Sequence, residues 1–296
     1  MVSRTSTMSK AISALGVSLA SFIVTAYCTW LMLQKMNSIM MYVADSIVIL
    51  ADSGLCWLIW TKFSSYSARN DLRKVAICAH GLGAIFSAGL FVSTIDDPIA
   101  YFGMYVTAIS LFHMSEYLLT ALYNPSTLST DSYLINHSSA YVCAMVSSLV
   151  EYSLELCFFP WIKSFVWISR LGLLLVVAGE LLRKVAMITA ASNFTHQVQC
   201  FKRKDHTLVT RGVYSLSRHP SYVGWFYWSV GSQLLLCNPV CFVGFLVATW
   251  KFFQDRIWDE ELLLLQFFGQ EYEDYRTKVG IGIPFIQGYK LPVATT

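Results

Sequence analysis

Two groups of polar residues contain most of the side chains that could do chemistry. The first, Arg218-His219-Pro220-Ser221-Tyr222, comes directly before an apolar run. Proline suits the first turn of a helix, and the free backbone N–H groups there form an anion-binding end. The second contains Arg256 and Glu260, which are four residues apart and share a helix face. These two residues could simply form a surface ion pair, which contributes only about 0.3 to 0.5 kcal/mol at this spacing. A functional role requires the fold to bring the two groups together.

A helical hairpin would bring the two groups together. Apolar runs near Tyr222 to Leu236 and Val240 to Phe253 are joined by Cys237-Asn238-Pro239, a connection too short for anything but a hairpin. Because both groups leave this hairpin on the same side, we expect them to be neighbours. The polar segment from Thr195 to Arg218 precedes the hairpin and supplies further candidates: Gln197, Gln199, His206 and Tyr214.

The composition indicates an integral membrane protein. Hydrophobic residues make up 55% and charged residues 13% of the 296 residues, and the mean hydropathy is +0.52. So few charges cannot cover a soluble globule of 33.4 kDa. The formal net charge of +3 is too small to suggest a nucleic-acid partner. We therefore expect contact with membrane lipid and none with nucleic acid.

Apolar runs close to the ~20 residues that a bilayer core requires predict an all-α polytopic fold with about eight transmembrane helices. Besides the hairpin, the runs are Ala11 to Leu33, Ile39 to Thr61, Val75 to Ile95, Pro98 to Tyr123, Ser138 to Phe159 and Ile162 to Ala190. The last is longer than a bilayer needs, so we expect its end, with Arg183 and Lys184, to project into water. Residues 1–190 then form a membrane scaffold and residues 191–296 a catalytic region.

The distribution of lysine and arginine predicts the orientation, because cytoplasmic loops carry the excess of these residues. Basic residues lie near the N-terminus, in the loop 62–74, in the segment 183–218 and after Lys251. Both termini are therefore expected on the cytoplasmic side. The glycosylation sequons at Asn136 and Asn193 would lie there too and stay unmodified.

Several ionisable residues within the predicted spans are costly in lipid. They fall in pairs at helical spacing: Asp45 with Asp52, His113 with Glu116, and Glu151 with Glu155. An ion or proton pathway is one interpretation, and interhelical hydrogen bonding is the one we favour. Gly81 and Gly83 suggest a close helix contact.

The motifs and their order resemble the isoprenylcysteine carboxyl methyltransferase family over roughly residues 180–286. The matching elements are His206-Thr207-Leu208-Val209, Gly212-Val213-Tyr214, Arg218 to Trp225, Arg256, Glu260-Glu261, Phe268-Gly269, Glu271-Tyr272 and Pro284-Phe285-Ile286. An RHPxYxG element alone is shared more loosely with phospholipid methyltransferases and some sterol reductases.

The resemblance implies a multi-pass enzyme of the endoplasmic reticulum membrane whose active site faces the cytoplasm. It would methylate the C-terminal carboxylate of a prenylated (farnesyl or geranylgeranyl) cysteine on small GTPases and other processed CaaX proteins. The methyl donor would be S-adenosyl-L-methionine, which leaves as S-adenosyl-L-homocysteine. Since a prenyl chain is insoluble in water, it would enter from the lipid through a tunnel between helices.

The resemblance also assigns roles to individual residues. Arg256 would meet the substrate carboxylate, because its planar fork can donate two hydrogen bonds. No metal ligand is implied. The cofactor contacts would come from Gln199, His206, Thr207, Leu208, Val209, Tyr214, His219, Pro220, Ser221, Tyr222 and Glu260.

The side-chain types agree with a carboxylate acceptor. A terminal carboxyl has a reference pKa near 3.5, so it is already an anion at neutral pH and needs no general base. A phospholipid N-methyltransferase is the nearest alternative, but its cationic amine needs a base and is repelled by Arg256. A sterol reductase needs hydride from NADPH, and a transporter would leave both polar groups unexplained.

Overall fold

The computed structural model describes residues 4–35, 66–95, 99–135 and 138–289. Its α-helices are α1 (Arg4–Lys35), α2 (Tyr66–Val92), α3 (Ile99–Tyr123), α4 (Ser139–Phe158), α5 (Val166–Ala190), α6 (Pro220–Leu235), α7 (Pro239–Phe268) and α8 (Gln270–Lys278). Short 3₁₀ turns, and no β-strand, occur between these helices in the described ranges. The predicted all-α fold is confirmed. The predicted span at 39–61, with Asp45 and Asp52, and the sequon residue Asn136 lie outside the described residues.

Long apolar helices support the membrane assignment. Within the described ranges, three helical stretches are long and apolar enough to cross a membrane: Thr7–Gln34, Asp71–Val92 and Ser139–Phe158. The count of about eight spans and the cytoplasmic placement of both termini stay predictions.

The chain divides into two compact units, residues 1–142 and 143–296. In the first unit α1 packs on α2, and a Cβ added at Gly83 would lie 2.6 Å from the Phe22 carbonyl oxygen. The close contact expected at Gly83 is confirmed, whereas no atom of the described residues lies within 4 Å of a Cβ added at Gly81. His113 bonds through Nδ1 to the Tyr133 carbonyl at 2.8 Å and through Nε2 to the Tyr141 hydroxyl at 3.1 Å. The hydrogen-bonding interpretation therefore holds for His113.

In the second unit, α5 and α6 touch at two glycines. A Cβ at Gly224 would lie 2.5 Å from the Gly179 carbonyl oxygen, so neither position has room for a larger side chain. Arg183 lies one turn further along α5 and is only 2% exposed. The prediction that Arg183 projects into water is therefore wrong, because α6 packs over this end of α5. Lys184 pairs with Glu180 at 3.2 Å.

The closed end of the α6–α7 hairpin is held by buried polar side chains. Lys163 Nζ lies 2.6 Å from Glu155 Oε2 and also donates to the Leu236 and Cys237 carbonyls and to Asn238 Oδ1, at 2.8, 3.0 and 2.8 Å. Lysine offers three donor hydrogens, and these partners surround them. The first turn of α7 is fixed in addition by a carboxylate.

That carboxylate is Glu151, which accepts the backbone N–H groups of Val240 and Cys241 at 2.7 and 2.6 Å. An anion at a helix N-terminus satisfies N–H groups that have no partner inside the helix. Glu151 thus makes the interhelical contact that the favoured interpretation expected, whereas Glu155 pairs with Lys163 in the 3₁₀ turn that follows its own helix.

The start of one helix differs from the prediction, and another helix continues beyond its predicted membrane span, as the shared helix face of Arg256 and Glu260 requires. The run expected to be helical from Ile162 begins as an α-helix only at Val166, because Pro160–Ser164 forms a 3₁₀ turn. The run predicted to span from Val240 to Phe253 belongs to a single helix of 30 residues that ends at Phe268. Both halves of the expected site therefore extend from the open end of one rigid hairpin.

Candidate active site

A solvent-open cleft with about 690 Å³ of empty space lies at the open end of the hairpin. It is lined by all the predicted cofactor residues except Gln199: His206, Thr207, Leu208, Val209, Tyr214, His219, Pro220, Ser221, Tyr222 and Glu260. Gln199 lines a smaller neighbouring cavity, which shares His206, Tyr222 and Glu260 with the cleft. Arg256 is not among the lining residues of either cavity. The fold thus brings together the segment before α6, the first turn of α6 and the C-terminal half of α7.

The first turn of α6 forms one wall of the cleft. Pro220 occupies the first turn, as predicted, and His219 and Ser221 on either side of it are buried. Arg183 donates to the Ser221 hydroxyl at 2.8 Å, and its guanidinium lies 4.7 Å from the centre of the Trp225 ring. A positive charge is thereby held beside a helix N-terminus, and both features favour an anion in the cleft.

A chain of three side chains links α6 to α7. The Tyr222 hydroxyl donates to Glu260 Oε2 at 2.5 Å and accepts from Arg256 Nε at 2.9 Å. Arg256 also donates from Nη2 to the His196 carbonyl at 2.5 Å. Arg256 and Glu260 share a helix face as predicted, but they are joined through Tyr222. The tyrosine hydroxyl therefore sets the spacing between the cation and the carboxylate.

Glu261, next to Glu260, is enclosed on the other side of α7. Its Oε1 accepts from Arg218 Nε at 2.8 Å and from His219 Nε2 at 3.2 Å, and its Oε2 accepts the Tyr289 backbone N–H at 3.0 Å. Burial alone would raise the pKa of this carboxyl, but the His219 hydrogen bond and the charges of His219 and Arg218 outweigh burial and lower the pKa to about 2. Glu261 is thus a buried anion that fixes the orientation of the His219 ring.

Two tyrosines close the cleft at the 3₁₀ turn Gly212–Ser215. The Tyr275 hydroxyl donates to the Tyr214 carbonyl at 2.5 Å, which fixes this turn on α8. Gly212 has a φ of 60°, a conformation that glycine adopts at little cost. Burial raises the pKa of the Tyr275 hydroxyl to about 12 and also raises that of Tyr214. Both phenols are neutral near pH 7, so this wall is an uncharged aromatic surface.

His206 contributes an unused polar atom to the cleft. Its ring packs edge-on against Phe267 and Phe268, with centroids 5.9 and 5.2 Å away. Burial, followed by the charges of Arg203 and Lys202, lowers the His206 pKa, so the ring is neutral at pH 7. Nδ1 is buried and has no hydrogen-bond partner among the described residues. A buried polar atom in this state favours a ligand that completes its hydrogen bonding.

Sequence reasoning missed several residues of the cleft. Leu264 and Phe268 lie four and eight positions after Glu260 and line the same cleft. This helical spacing could have identified both of them from the sequence. Arg218 was recognised as part of a motif, but its partner Glu261 was given no role. The contributions of Asn193, Phe194 and Tyr275 depend on loop conformation and carry no comparable signal.

Comparisons with known proteins agree with this geometry. Residues 171–266 match the model of the isoprenylcysteine carboxyl methyltransferase (ICMT) family. The chain is 54% identical over 221 residues to protein-S-isoprenylcysteine O-methyltransferase of Xenopus laevis, covering 75% of this chain and 77% of that protein. It is 52% identical over 218 residues to the enzyme of that name from Homo sapiens, covering 74% and 77%. A solved structure of the eukaryotic intramembrane Ras methyltransferase ICMT is 43% identical, with a TM-score of 0.83 and coverage of 94% of this chain and 99% of that one.

Proposed function

Because the chain belongs to the isoprenylcysteine carboxyl methyltransferase family, we propose that it transfers a methyl group from S-adenosylmethionine to the C-terminal carboxylate of a prenylated cysteine. The acceptors are processed CaaX proteins such as small GTPases, and the product is a methyl ester. The enzyme acts in the endoplasmic reticulum membrane with its active site facing the cytoplasm. Residues 191–296 form the catalytic region, and residues 1–190 form the scaffold and part of a lipid tunnel.

The observation that carries this proposal is the chain of hydrogen bonds from Arg256 through Tyr222 to Glu260. It holds the Arg256 guanidinium at a fixed distance from the Glu260 carboxylate. The guanidinium can bind the carboxylate of an acceptor, and the Glu260 carboxylate can bind a cationic amine. One rigid hairpin carries both groups, so acceptor and cofactor can be aligned with little loss of entropy on binding.

The residues of the cleft fit S-adenosylmethionine, which supplies an electrophilic methyl group when bound. In this proposal His219 and the first turn of α6 hold its carboxylate, with Arg183 behind Ser221 adding positive charge. Glu260 holds its amine, and Tyr214 presents an aromatic ring to its cationic sulfonium. The other expected ring, Tyr222, is stacked on His219 and Phe253. His206 Nδ1 and the segment Thr207-Leu208-Val209, with Gln199 close by, hold the remaining polar groups.

In this proposal Arg256 binds the carboxylate of the acceptor. It would orient the acceptor carboxylate towards the electrophilic methyl group that S-adenosylmethionine would supply. No proton is transferred, because the carboxylate is already ionised at neutral pH. A lipid amine is a poor acceptor beside Arg256, so the phospholipid alternative is disfavoured.

A transfer assay tests the proposal. The purified chain in lipid nanodiscs is incubated with methyl-labelled S-adenosylmethionine and either a prenylated cysteine or phosphatidylethanolamine. We expect label in a base-labile ester of the prenylated cysteine. Label only in the amine lipid, or in neither acceptor, would reject the proposal. The variant Lys251→Ala should keep the transfer activity and controls for the loss of a cation from α7, the helix that carries Arg256. The Lys251 side chain is 63% exposed and pairs with Asp255.

A further inference from the structure

The C-terminal segment contains a backbone conformation that its residue type does not favour. Phe285 has a φ of 66°, in the left-handed region that L-residues with bulky side chains rarely adopt. It occupies the third position of a turn from Ile283 to Ile286, after Pro284. A turn with proline second and a positive φ third normally has glycine or asparagine in that third position. Phenylalanine there is strained, and strain of this kind is a reason to look for a function of the side chain.

This conformation drives the Phe285 side chain outward. Ile283 and Ile286 on either side are 3% and 7% exposed and belong to the hydrophobic core of the second unit, whereas Phe285 is 90% exposed. An aromatic ring held fully outward forgoes the burial that normally stabilises it. Among the described residues, therefore, no side chain covers the Phe285 ring.

The turn is attached to α7 at a defined level. The Trp250 indole N–H donates to the Pro284 carbonyl at 2.8 Å. Val243 and Val247, seven and three positions before Trp250, lie on the same helix face and are 57% and 62% exposed. On the prediction that Val240 to Phe253 spans the membrane, these exposed valines face lipid, so Trp250 stands at the end of a lipid-facing stripe.

Charged residues begin immediately after this point. The Lys251 and Asp255 side chains are 63% and 60% exposed, so the next turn of α7 lies in water. The change from exposed valine to exposed lysine takes place within about one helical turn, or roughly 5.4 Å. Tryptophan is enriched at this boundary because its ring is apolar and its N–H polar. Phe285 is therefore tethered at the level where the membrane surface meets water.

We propose that Phe285 inserts into the interfacial layer of the bilayer and anchors the C-terminal segment 279–289 to the membrane surface. The occupant of its exposed face is lipid, since the neighbouring Pro284 is bonded to Trp250 at the end of the lipid-facing stripe of α7. This segment also supplies the Tyr289 N–H to Glu261, so the anchor secures an irregular segment beside the candidate active site. The proposal is independent of the reaction catalysed.

A site-specific fluorine probe tests the contact. A trifluoromethyl-phenylalanine is introduced at position 285 of the full chain in phosphatidylcholine nanodiscs that contain lipid with a nitroxide near the head group. Two sites serve as controls: Phe201, 84% exposed in the polar loop, and Phe158, 70% exposed at the end of a candidate span. We expect the nitroxide to broaden the signal at 285 several-fold more than at 201. A water-soluble paramagnetic chelate should give the opposite order.

Each other outcome overturns the proposal. A signal at 285 that responds like the one at 201 would place the ring in water. A change that appears only when a prenylated cysteine is added would assign the ring to the acceptor. A change that depends on the number of protein copies per disc would assign it to a second copy.

Amide exchange of Phe285→Gly in nanodiscs supplies an independent readout. Glycine removes the backbone strain, so a purely structural turn would exchange more slowly in this variant. Loss of a lipid anchor predicts the opposite, namely exchange several-fold faster between residues 279 and 289. Phe285→Leu keeps an apolar side chain at the same φ and should stay close to the wild type. Slower or unchanged exchange in the glycine variant would contradict the anchor.

Discussion

Replacing Glu261 by glutamine should destabilise the protein and disturb the candidate active site together. The carboxylate is completely buried and accepts hydrogen bonds from Arg218, His219 and the Tyr289 backbone. Glutamine keeps the size but turns one oxygen into an NH₂ group, which cannot accept a hydrogen bond. One N–H donor therefore meets another donor, and Arg218 loses its counter-charge.

The lowered pKa gives the expected magnitude for Glu261→Gln. The carboxyl has a pKa of about 2 in the folded protein and an ordinary value of 4.5. A pKa difference of about 2.5, at about 1.36 kcal/mol for each pH unit, corresponds to roughly 3 kcal/mol of stability. Removing one partner of a buried ion pair typically costs about 3 to 5 kcal/mol. Both figures predict a loss of about 3 to 5 kcal/mol in the free energy of unfolding at pH 7.

The pH dependence has a defined sign. Because the folded pKa is lower than the unfolded value, the Glu261 contribution is complete above pH 4.5 and is lost as the pH falls towards about 2. Denaturant unfolding of the wild type in lipid–detergent micelles should show this loss. In Glu261→Gln, stability at pH 7 should already be reduced, and this part of the acid dependence should be absent.

Glu260→Gln provides the matched control for stability. Glu260 is the next residue on the same helix, and its side chain is 30% exposed, so its replacement should cost much less. The Glu261→Gln variant should also bind S-adenosylmethionine more weakly by calorimetry, because His219 loses its orientation. A glutamine variant at 261 whose stability at pH 7 is within about 1 kcal/mol of the wild type, with an unchanged acid profile, would refute this reasoning.

Three further substitutions have distinct expected outcomes. Arg256→Ala should lower kcat/KM for the prenylated acceptor about 10- to 100-fold, which corresponds to ~1.5 to 3 kcal/mol for hydrogen bonds to a charged group. Its cofactor affinity should change little, and unchanged acceptor kinetics would remove Arg256 from acceptor binding. Glu260→Gln should weaken S-adenosylmethionine binding about 10-fold by calorimetry, and unaltered affinity would contradict its assignment. Lys163→Met should cost about 3 to 5 kcal/mol in unfolding experiments, and adding Glu155→Leu should recover only part of this loss, because the Leu236 and Cys237 carbonyls still lack their donor. A double variant no more stable than Lys163→Met would show that the unpaired Glu155 carboxylate contributes nothing to the loss.

The hairpin could be predicted because its signals are local. Pro220 and Pro239 each begin a helix, and the connection at Cys237-Asn238 is too short for any other arrangement. Once the hairpin is known, Arg256 and Glu260 must lie near the polar residues before α6. The apolar runs of α3, α4, α5 and α6 likewise predicted both ends of these helices closely, whereas α1 and α2 begin well before their predicted runs and α7 ends well after its run. Bilayer thickness fixes the length of an apolar run, but a helix can continue beyond it.

The remaining features depend on partners that are distant in the sequence. The sequence predicts that Arg183 is a solvent-exposed residue at a helix end. Only the close α5–α6 contact at Gly179 and Gly224 buries it. Lys163 binds two backbone carbonyls, which every residue possesses, so no side-chain pattern marks the contact. Tertiary packing decides both positions.

The adjacent residues Glu260 and Glu261 explain why the sequence indicates a site but not its internal organisation. Successive residues on a helix point about 100° apart, so one carboxylate faces the cleft and the other faces the C-terminal segment. Glu260 contacts one hydroxyl and is partly open to solvent, which leaves it free to bind a cationic ligand. Glu261 is saturated by three donors and cannot accept a ligand without losing one of them. In our proposal, therefore, Glu260 contacts the cofactor, and Glu261 acts only through His219 and Arg218, although the two residues are chemically identical.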